Sequence, residues 1–190
     1  MRIIAGKHRA RRLEAPAGLD VRPTSDRARE SLFNILEHGR FSDGGRSPLI
    51  GARVLDAFAG SGALGLEALS RGARHLTCMD TSAVARATVR ANAKALGETA
   101  AVTVLAADAT NPPDAAAASC TLVFLDPPYR SGLAAPALAA LASRGWIADG
   151  AACVVETAAD EEVGAPAGFT RVDERRYGKA KLQFFRFTSS

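Results

Sequence analysis

The sequence predicts an α/β fold built on a mostly parallel seven-stranded sheet that ends in an antiparallel hairpin. Three observations carry this. From about residue 52, short apolar runs alternate with helix-forming stretches, the pattern of a parallel sheet with right-handed crossovers. A glycine-rich stretch, Gly60-Ser61-Gly62-Ala63-Leu64-Gly65, lies between the first of these runs and the first helix. Finally, Phe169 to Tyr177 and Lys181 to Thr188 flank Gly178 and alternate in character, as paired antiparallel strands do.

Taken in order, residues 2–14 alternate loosely around Gly6, Lys7 and His8 and predict a short basic hairpin. Arg22-Pro23-Thr24 leads extended chain into a helix that Thr24 or Ser25 can cap, with Asp26 and Glu30 near its positive end. Ala28, Leu32, Ile35 and Leu36 give that helix one apolar stripe. The glycine-rich loop from His38 to Pro48 divides the chain into an N-terminal extension, 1–48, and a core domain, 49–190. Within the core, strands are expected at 52–57, 74–80, 101–106, 121–125 and 151–156, ahead of the hairpin. Helices are expected near 62–71, 82–96 and 133–143. Trp146, just before the fifth strand, reads as a core anchor.

At 190 residues the chain is long enough to bury a sizeable core, and its hydrophobic fraction of 47% and charged fraction of 23% are ordinary globular values. Net charge is +4, compatible with nucleic acid without requiring it. The basic residues cluster: Arg2, Lys7, Arg9, Arg11 and Arg12 precede the first acid, Glu14. Arg171, Arg175, Arg176, Lys179, Lys181 and Arg186 gather near the C-terminus. A single such Arg is most simply solvated surface, whereas two clusters beside one crevice would track phosphates. Cys78, Cys120 and Cys153 lie in or beside apolar runs without CxxC spacing, as buried reduced thiols of a cytoplasmic protein do; no metal is expected. Nothing approaches the length of a membrane span.

The stretch Val54 to Gly65 runs from strand to glycine loop to helix, and Gly60, Gly62 and Gly65 match GxGxxG. Such glycines let backbone turn sharply and let a ligand approach the helix N-terminus, which suits a pyrophosphate and an amino-acid carboxylate equally. Asp56, ahead of the loop, would repel a pyrophosphate but attract an ammonium, and S-adenosylmethionine carries one beside its sulfonium. Asp80, after the second strand, is placed to accept both ribose hydroxyls. Asp108, with Ala109 at the end of the third, is placed to meet the adenine amine. For each acid the simpler reading is a helix N-cap, and three acids at consecutive strand ends weaken it.

Asp126-Pro127-Pro128-Tyr129 follows the apolar run Thr121 to Leu125, so it sits at a strand's carboxyl end, where open α/β sheets place their ligands. Two prolines fix φ and donate no N–H, making a stiff corner. An acid, a rigid carbonyl and an aromatic ring held together there suit a flat amine such as a nucleobase. These segments together resemble the class I (Rossmann-like), S-adenosylmethionine-dependent amino-methyltransferases. More closely, the chain resembles the RsmD family, which methylates guanine N2 in small-subunit (16S) ribosomal RNA. The resemblance rests on Arg2-Ile3-Ile4-Ala5-Gly6, Arg22 to Arg27, Glu30 to Asn34, Asp56 to Ala68 and the Asp126 motif, in order and across nearly the whole chain.

The resemblance implies S-adenosylmethionine bound by Asp56, Phe58, Ala59, Gly60, Ser61, Gly62, Asp80, Asp108 and Ala109. By analogy with the motif's use, the Asp126 carboxylate and Pro127 carbonyl hold the amine's hydrogens while its lone pair turns toward the sulfonium methyl, and Tyr129 stacks on the base. Pro128, Arg22, Thr24, Arg9, Arg11 and Arg12 are the expected contacts to RNA, free or within the 30S particle, for a monomeric enzyme. For Arg22 and Thr24 a purely structural role at the start of the helix stays open. Three other readings also remain. A DNA adenine-N6 or cytosine-N4 methyltransferase shares the amine logic but usually needs a further recognition region. A nicotinamide-dependent oxidoreductase explains the glycines and Asp80 and leaves Asp126 to Tyr129 idle. A non-catalytic RNA-binding module would keep the pocket without the reaction.

Overall fold

The structure, a computed structural model, describes residues 1–16, 26–38, 41, 47–116 and 118–189. Arg22, Pro23, Thr24 and Ser25 lie outside the described residues, as does most of the loop expected between residues 38 and 48. Five parallel strands form in turn: β1 (Arg53–Ala57), β2 (His75–Met79), β3 (Val102–Leu105), β4 (Cys120–Leu125) and β5 (Ile147–Ala158). The antiparallel hairpin β6 (Phe169–Tyr177) and β7 (Ala180–Phe187) completes one seven-stranded sheet of order β3-β2-β1-β4-β5-β7-β6. The order reverses between β1 and β4, the switch point at which adjacent strands send their connections in opposite directions and leave a crevice at their carboxyl ends.

Both faces of the sheet are covered, so its strands read as continuous apolar runs. On one face, α1 (Asp26–His38), α2 (Ala63–Ser70) and α3 (Ala83–Leu96) pack Leu32, Phe33, Leu66, Val89 and Leu96 against Val54, Leu76, Phe124 and Phe184. On the other, α4 (Ala134–Ser143) sets Leu138 and Leu141 on Leu55, Val123, Cys153 and Phe185. The three cysteines are buried and unpaired, and burial pushes the Cys120 thiol up to about 11. Trp146 is buried and donates its indole N–H to the Pro113 carbonyl at 2.8 Å.

The caps agree with the chain's local chemistry. Ser82 accepts the Ala85 N–H at the start of α3, and Gly97 in the left-handed region ends it, with the Glu98 N–H returning to the Ala93 carbonyl. The fifth strand is longer than its apolar run implies. Ile147 already pairs with Cys120, and the register then shifts so that Leu122 meets Ala152, an irregularity that the polar Asp149-Gly150 hides from a search for continuous apolar residues.

The N-terminal hairpin is tighter than two strands: one antiparallel bridge joins Arg2 to Arg12, with Ala10 donating to the Ile3 carbonyl. Its Ile3 and Leu13 enter the same core as α1. The sealed carboxylate of Glu67 on α2 receives the Ile4 and Ala5 N–H groups at 2.7 and 3.0 Å, and Asn92 on α3 exchanges two bonds with the Glu14 backbone. Two helices of the sheet layer thus hold the hairpin by its backbone, leaving Arg2, Lys7, Arg9, Arg11 and Arg12 exposed. No helix among the described residues is long and apolar enough to cross a membrane.

Candidate active site

The crevice at the switch point is bordered by the loops that follow β1 and β4. In the first, the backbone turns through Phe58 (φ 64°), Gly60 (φ 53°) and Gly62 (φ 76°) before α2 begins. Phe58 pays a steric penalty there that glycine would not, a strain that concentrates at functional loops. A Cβ on Gly60 would meet nothing within 4 Å, so its requirement is conformational and its outer side stays open. Gly65 is the opposite case: a Cβ would lie 2.3 Å from Leu76, so the missing side chain lets α2 settle directly on β2.

Each expected cofactor acid has a defined place. Asp56 is sealed beneath the loop, and its Oδ2 accepts the Gly65 N–H at 2.9 Å. It therefore supplies from β1 the cap that Gly62, at the N-cap position, cannot. Burial pushes the Asp56 carboxyl up to about 7, partly offset by the Gly65 bond, with Asp80 adding to the rise. Asp80 bridges the Gly60 and Ser82 N–H groups at 2.9 and 2.8 Å, one on each oxygen. A carboxylate offers about four acceptor positions, so capacity for two hydroxyls remains. Asp108 is exposed, and its Oδ1 holds the N–H and hydroxyl of Thr110 while its Oδ2 takes nothing from the described residues. No helix follows it among the described residues before β4, so the N-cap reading of Asp108 has no helix to cap. Ala59 and Ala109 are buried, and the Ser61 hydroxyl faces the Met1 sulfur at 3.6 Å instead of the crevice.

Across the crevice, the Asp126 N–H reaches toward the Ala57 carbonyl at 3.5 Å, joining the two loops at their roots. The Asp126 carboxylate accepts no hydrogen bond from the described residues. Nor does the Pro127 carbonyl, whereas the Pro128 carbonyl is used by the Ser131 N–H at 3.2 Å. Two oxygen acceptors that take no hydrogen bond from the described residues thus belong to consecutive residues of a proline-stiffened corner. Burial pushes the Asp126 carboxyl well above the usual carboxylate range, and the nearby Glu156 and Asp56 push it the same way. The register explains this company: Asp56, Asp126 and Glu156 fall on the same face at the carboxyl ends of β1, β4 and β5. Pro127 is buried and Pro128 exposed. Arg130, directly after the motif, is a second non-glycine residue with positive φ (57°), so strained backbone flanks the crevice on both sides.

Glu156 is the residue that sequence reasoning missed. It is 3% exposed and accepts the Tyr129 hydroxyl at 2.9 Å, fixing a half-buried ring beside the Asp126 corner. The available signal was an acid inside the otherwise apolar run Val154-Val155-Glu156, since acids are almost never buried without a partner.

The basic clusters divide once their partners are known. Arg171, Arg175, Arg176 and Lys181 are committed to Glu162, Asp173 and Glu174 along the hairpin. In the N-terminal group Lys7 pairs with Glu98, and Arg11 donates to the Ala95 carbonyl at the end of α3. Arg9, Arg12 and Lys179 are exposed and have no side-chain partner among the described residues. No group of three metal-ligating side chains occurs among the described residues.

Comparison with known proteins places this geometry among relatives. The family described as conserved hypothetical protein 95 matches residues 1–186. Ribosomal RNA small subunit methyltransferase D of Escherichia coli K12 is 35% identical, over 97% of this chain and 89% of that protein. The protein of the same name from Haemophilus influenzae is 32% identical, over 97% and 93% respectively. The solved structure of yhhF from Escherichia coli superposes with a TM-score of 0.82 at 33% identity, covering 100% of this chain and 99% of that one.

Proposed function

The chain belongs to the conserved hypothetical protein 95 family, that of ribosomal RNA small subunit methyltransferase D, and from this premise we propose that it methylates guanine N2 in small-subunit ribosomal RNA. The observation that carries the reading is the Asp126-Pro127 corner, whose carboxylate and carbonyl take no hydrogen bond from the described residues, at the end of the strand beside the one that leads into the glycine loop.

The exocyclic amine of guanine is a poor nucleophile because its lone pair is delocalised into the ring. Two fixed acceptors can draw its hydrogens apart as the nitrogen becomes tetrahedral. Fixed beforehand, they favour the transition state over the ground state. Tyr129, tethered to Glu156, presents its ring to the base, which must leave its stack to reach the corner. As the new N–C bond forms and the sulfur–methyl bond breaks, the latter's electron pair would stay on sulfur as a neutral thioether. The amine becomes acidic, and Asp126, whose proton affinity is already raised, can receive the proton.

The donor proposed for this site is S-adenosylmethionine, which supplies an electrophilic methyl on a cationic sulfur. The residues suit it. The open side of Gly60 and the N-terminus of α2 would meet its carboxylate, Asp80 its ribose and the unused Oδ2 of Asp108 its adenine amine. Acids below the loop favour a cation over the pyrophosphate of a nicotinamide cofactor. Arg9 and Arg12 on the hairpin are the proposed phosphate contacts of the N-terminal extension; Arg22 and Thr24 are further proposed substrate contacts.

Purified protein, labelled S-adenosylmethionine and small ribosomal subunits lacking the modification test the proposal. Label is expected in guanine of the RNA and absent with Asp126→Ala. Label confined to DNA or protein would overturn the substrate, and stabilisation by NAD but not S-adenosylhomocysteine would overturn the cofactor.

A further inference from the structure

Beyond the Asp126 corner lies a cavity of about 400 Å³ lined by Tyr129, Arg130, Ala158, Ala159, Asp160, Gly178 and Lys179. Its walls come from three places at the carboxyl edge of the sheet: the loop after β4, the end of β5 and the turn between β6 and β7. Asp126 and Pro127 do not line it, so it stands on the Tyr129 side of the corner, away from the glycine loop.

The turn that closes this cavity is held on both sides. Gly178, with φ 60°, and Lys179 make a two-residue connection between Tyr177 and Ala180, where glycine at the first position matches the twist of the strands. Before the turn, the Tyr177 hydroxyl bonds Ser31 on α1. After it, the Lys179 carbonyl accepts the Ala159 N–H at 2.9 Å. Lys179 is therefore a cation on a fixed stem. Its charge has no side-chain partner among the described residues, while the hairpin cations Arg171, Arg175, Arg176 and Lys181 are paired with acids, as Arg130 is with Asp160 at 2.9 Å. An apolar wall of Tyr129, Ala158 and Ala159 ending in one unneutralised ammonium matches the two parts of a nucleotide, a flat base and a phosphate.

We propose that this cavity takes the nucleotide flanking the methylated guanine in single-stranded RNA, its base against the alanine wall and its phosphate on Lys179. The inference rests on the reading of the Asp126 corner given above and adds to it a second nucleotide subsite. Of its lining only Tyr129 is shared with the reaction proposed above, so variants at Lys179 and Ala159 give the test its contrast.

The experiment compares Lys179→Glu and Ala159→Trp with wild-type protein in methylation of unmodified small ribosomal subunits, and in binding of the isolated small-subunit RNA across a salt series. Lys179→Glu is expected to raise KM about tenfold with kcat little changed, and to lower the slope of log affinity against log salt by about 0.7 for the phosphate lost. Ala159→Trp, which fills the cavity with a rigid ring, is expected to raise KM at unchanged salt slope. Both should keep the wild-type stabilisation by S-adenosylhomocysteine, showing that the fold and the cofactor half are intact. Wild-type KM and salt slope in Lys179→Glu would overturn the proposal, as would a lowered slope in the charge-neutral Ala159→Trp. The two readings fail separately. RNA that binds wild-type protein without being methylated refutes the corner, and the Lys179 salt slope still decides the cavity.

Discussion

Removing the Tyr129 hydroxyl isolates what Glu156 does for the site. The bond is 2.9 Å long, its acceptor is 3% exposed, and it joins the loop after β4 to the neighbouring strand β5. A hydrogen bond of this kind contributes about 1–3 kcal/mol, more when the acceptor is ionised. In a domain of this size each kcal/mol moves Tm by roughly 2–4 °C, so Tyr129→Phe should melt roughly 4–8 °C lower if the bond contributes about 2 kcal/mol. The ring survives in that variant, so stacking survives too, and kcat/KM for RNA should fall only several-fold. Tyr129→Ala also removes the stack, about 1–3 kcal/mol, and should lose roughly 5- to 150-fold. The decisive assay is a double-mutant cycle with Glu156→Gln, read in thermal unfolding and in kcat/KM. If the two residues act as one unit, the combined loss falls short of the sum by at least about 0.5 kcal/mol. Strict additivity, with Tyr129→Phe melting like wild type, would refute the tether.

Two further predictions come from the cofactor half. Gly65→Ala places a methyl 2.3 Å from Leu76 and 3.1 Å from the Asp56 carboxylate; it should cost about 1–3 kcal/mol in denaturant unfolding and abolish stabilisation by S-adenosylhomocysteine. Asp56, pushed up to about 7 by burial, binds a proton in the folded protein that the unfolded chain has already released above about pH 4. The Asp56 contribution to stability therefore declines as pH rises from about 4 to 7 and levels off above that, by a few kcal/mol at most. Asp126, also raised, adds a decline of the same sign, so Asp56→Asn should make the fall between pH 4 and 7 shallower, and a parallel pH dependence in variant and wild type would exclude Asp56 as a source.

The sheet was legible because its strands are buried on both faces and its glycine loop and proline corner punctuate them. Boundaries failed only where pairing and apolarity part company, as at Asp149-Gly150, which β5 carries as an irregularity. The N-terminal hairpin was legible as basic chain, but its docking was not. That docking depends on Glu67 and Asn92, which look like ordinary helix-surface residues until Ile4, Ala5 and Glu14 are brought to them from more than 60 positions away. A separation of 27 positions likewise hid Glu156, whose partner Tyr129 lies in the loop after the neighbouring strand β4. Charge was the least legible property. Composition put six cations near the C-terminus; the pairing of four of them with Glu162, Asp173 and Glu174, and the seat of Arg186 over the Phe41 ring, single out Lys179 as one that pairs with no acid among the described residues.

The most direct test of the account is mass spectrometry of small-subunit ribosomal RNA from cells lacking this protein and carrying either the wild-type chain or Asp126→Ala. Wild type should restore N2-methylguanine at a single nucleotide, and Asp126→Ala should restore none while still binding S-adenosylhomocysteine. Full methylation by Asp126→Ala, or no difference between cells with and without the protein, would contradict the claim that the proline corner transfers the methyl group.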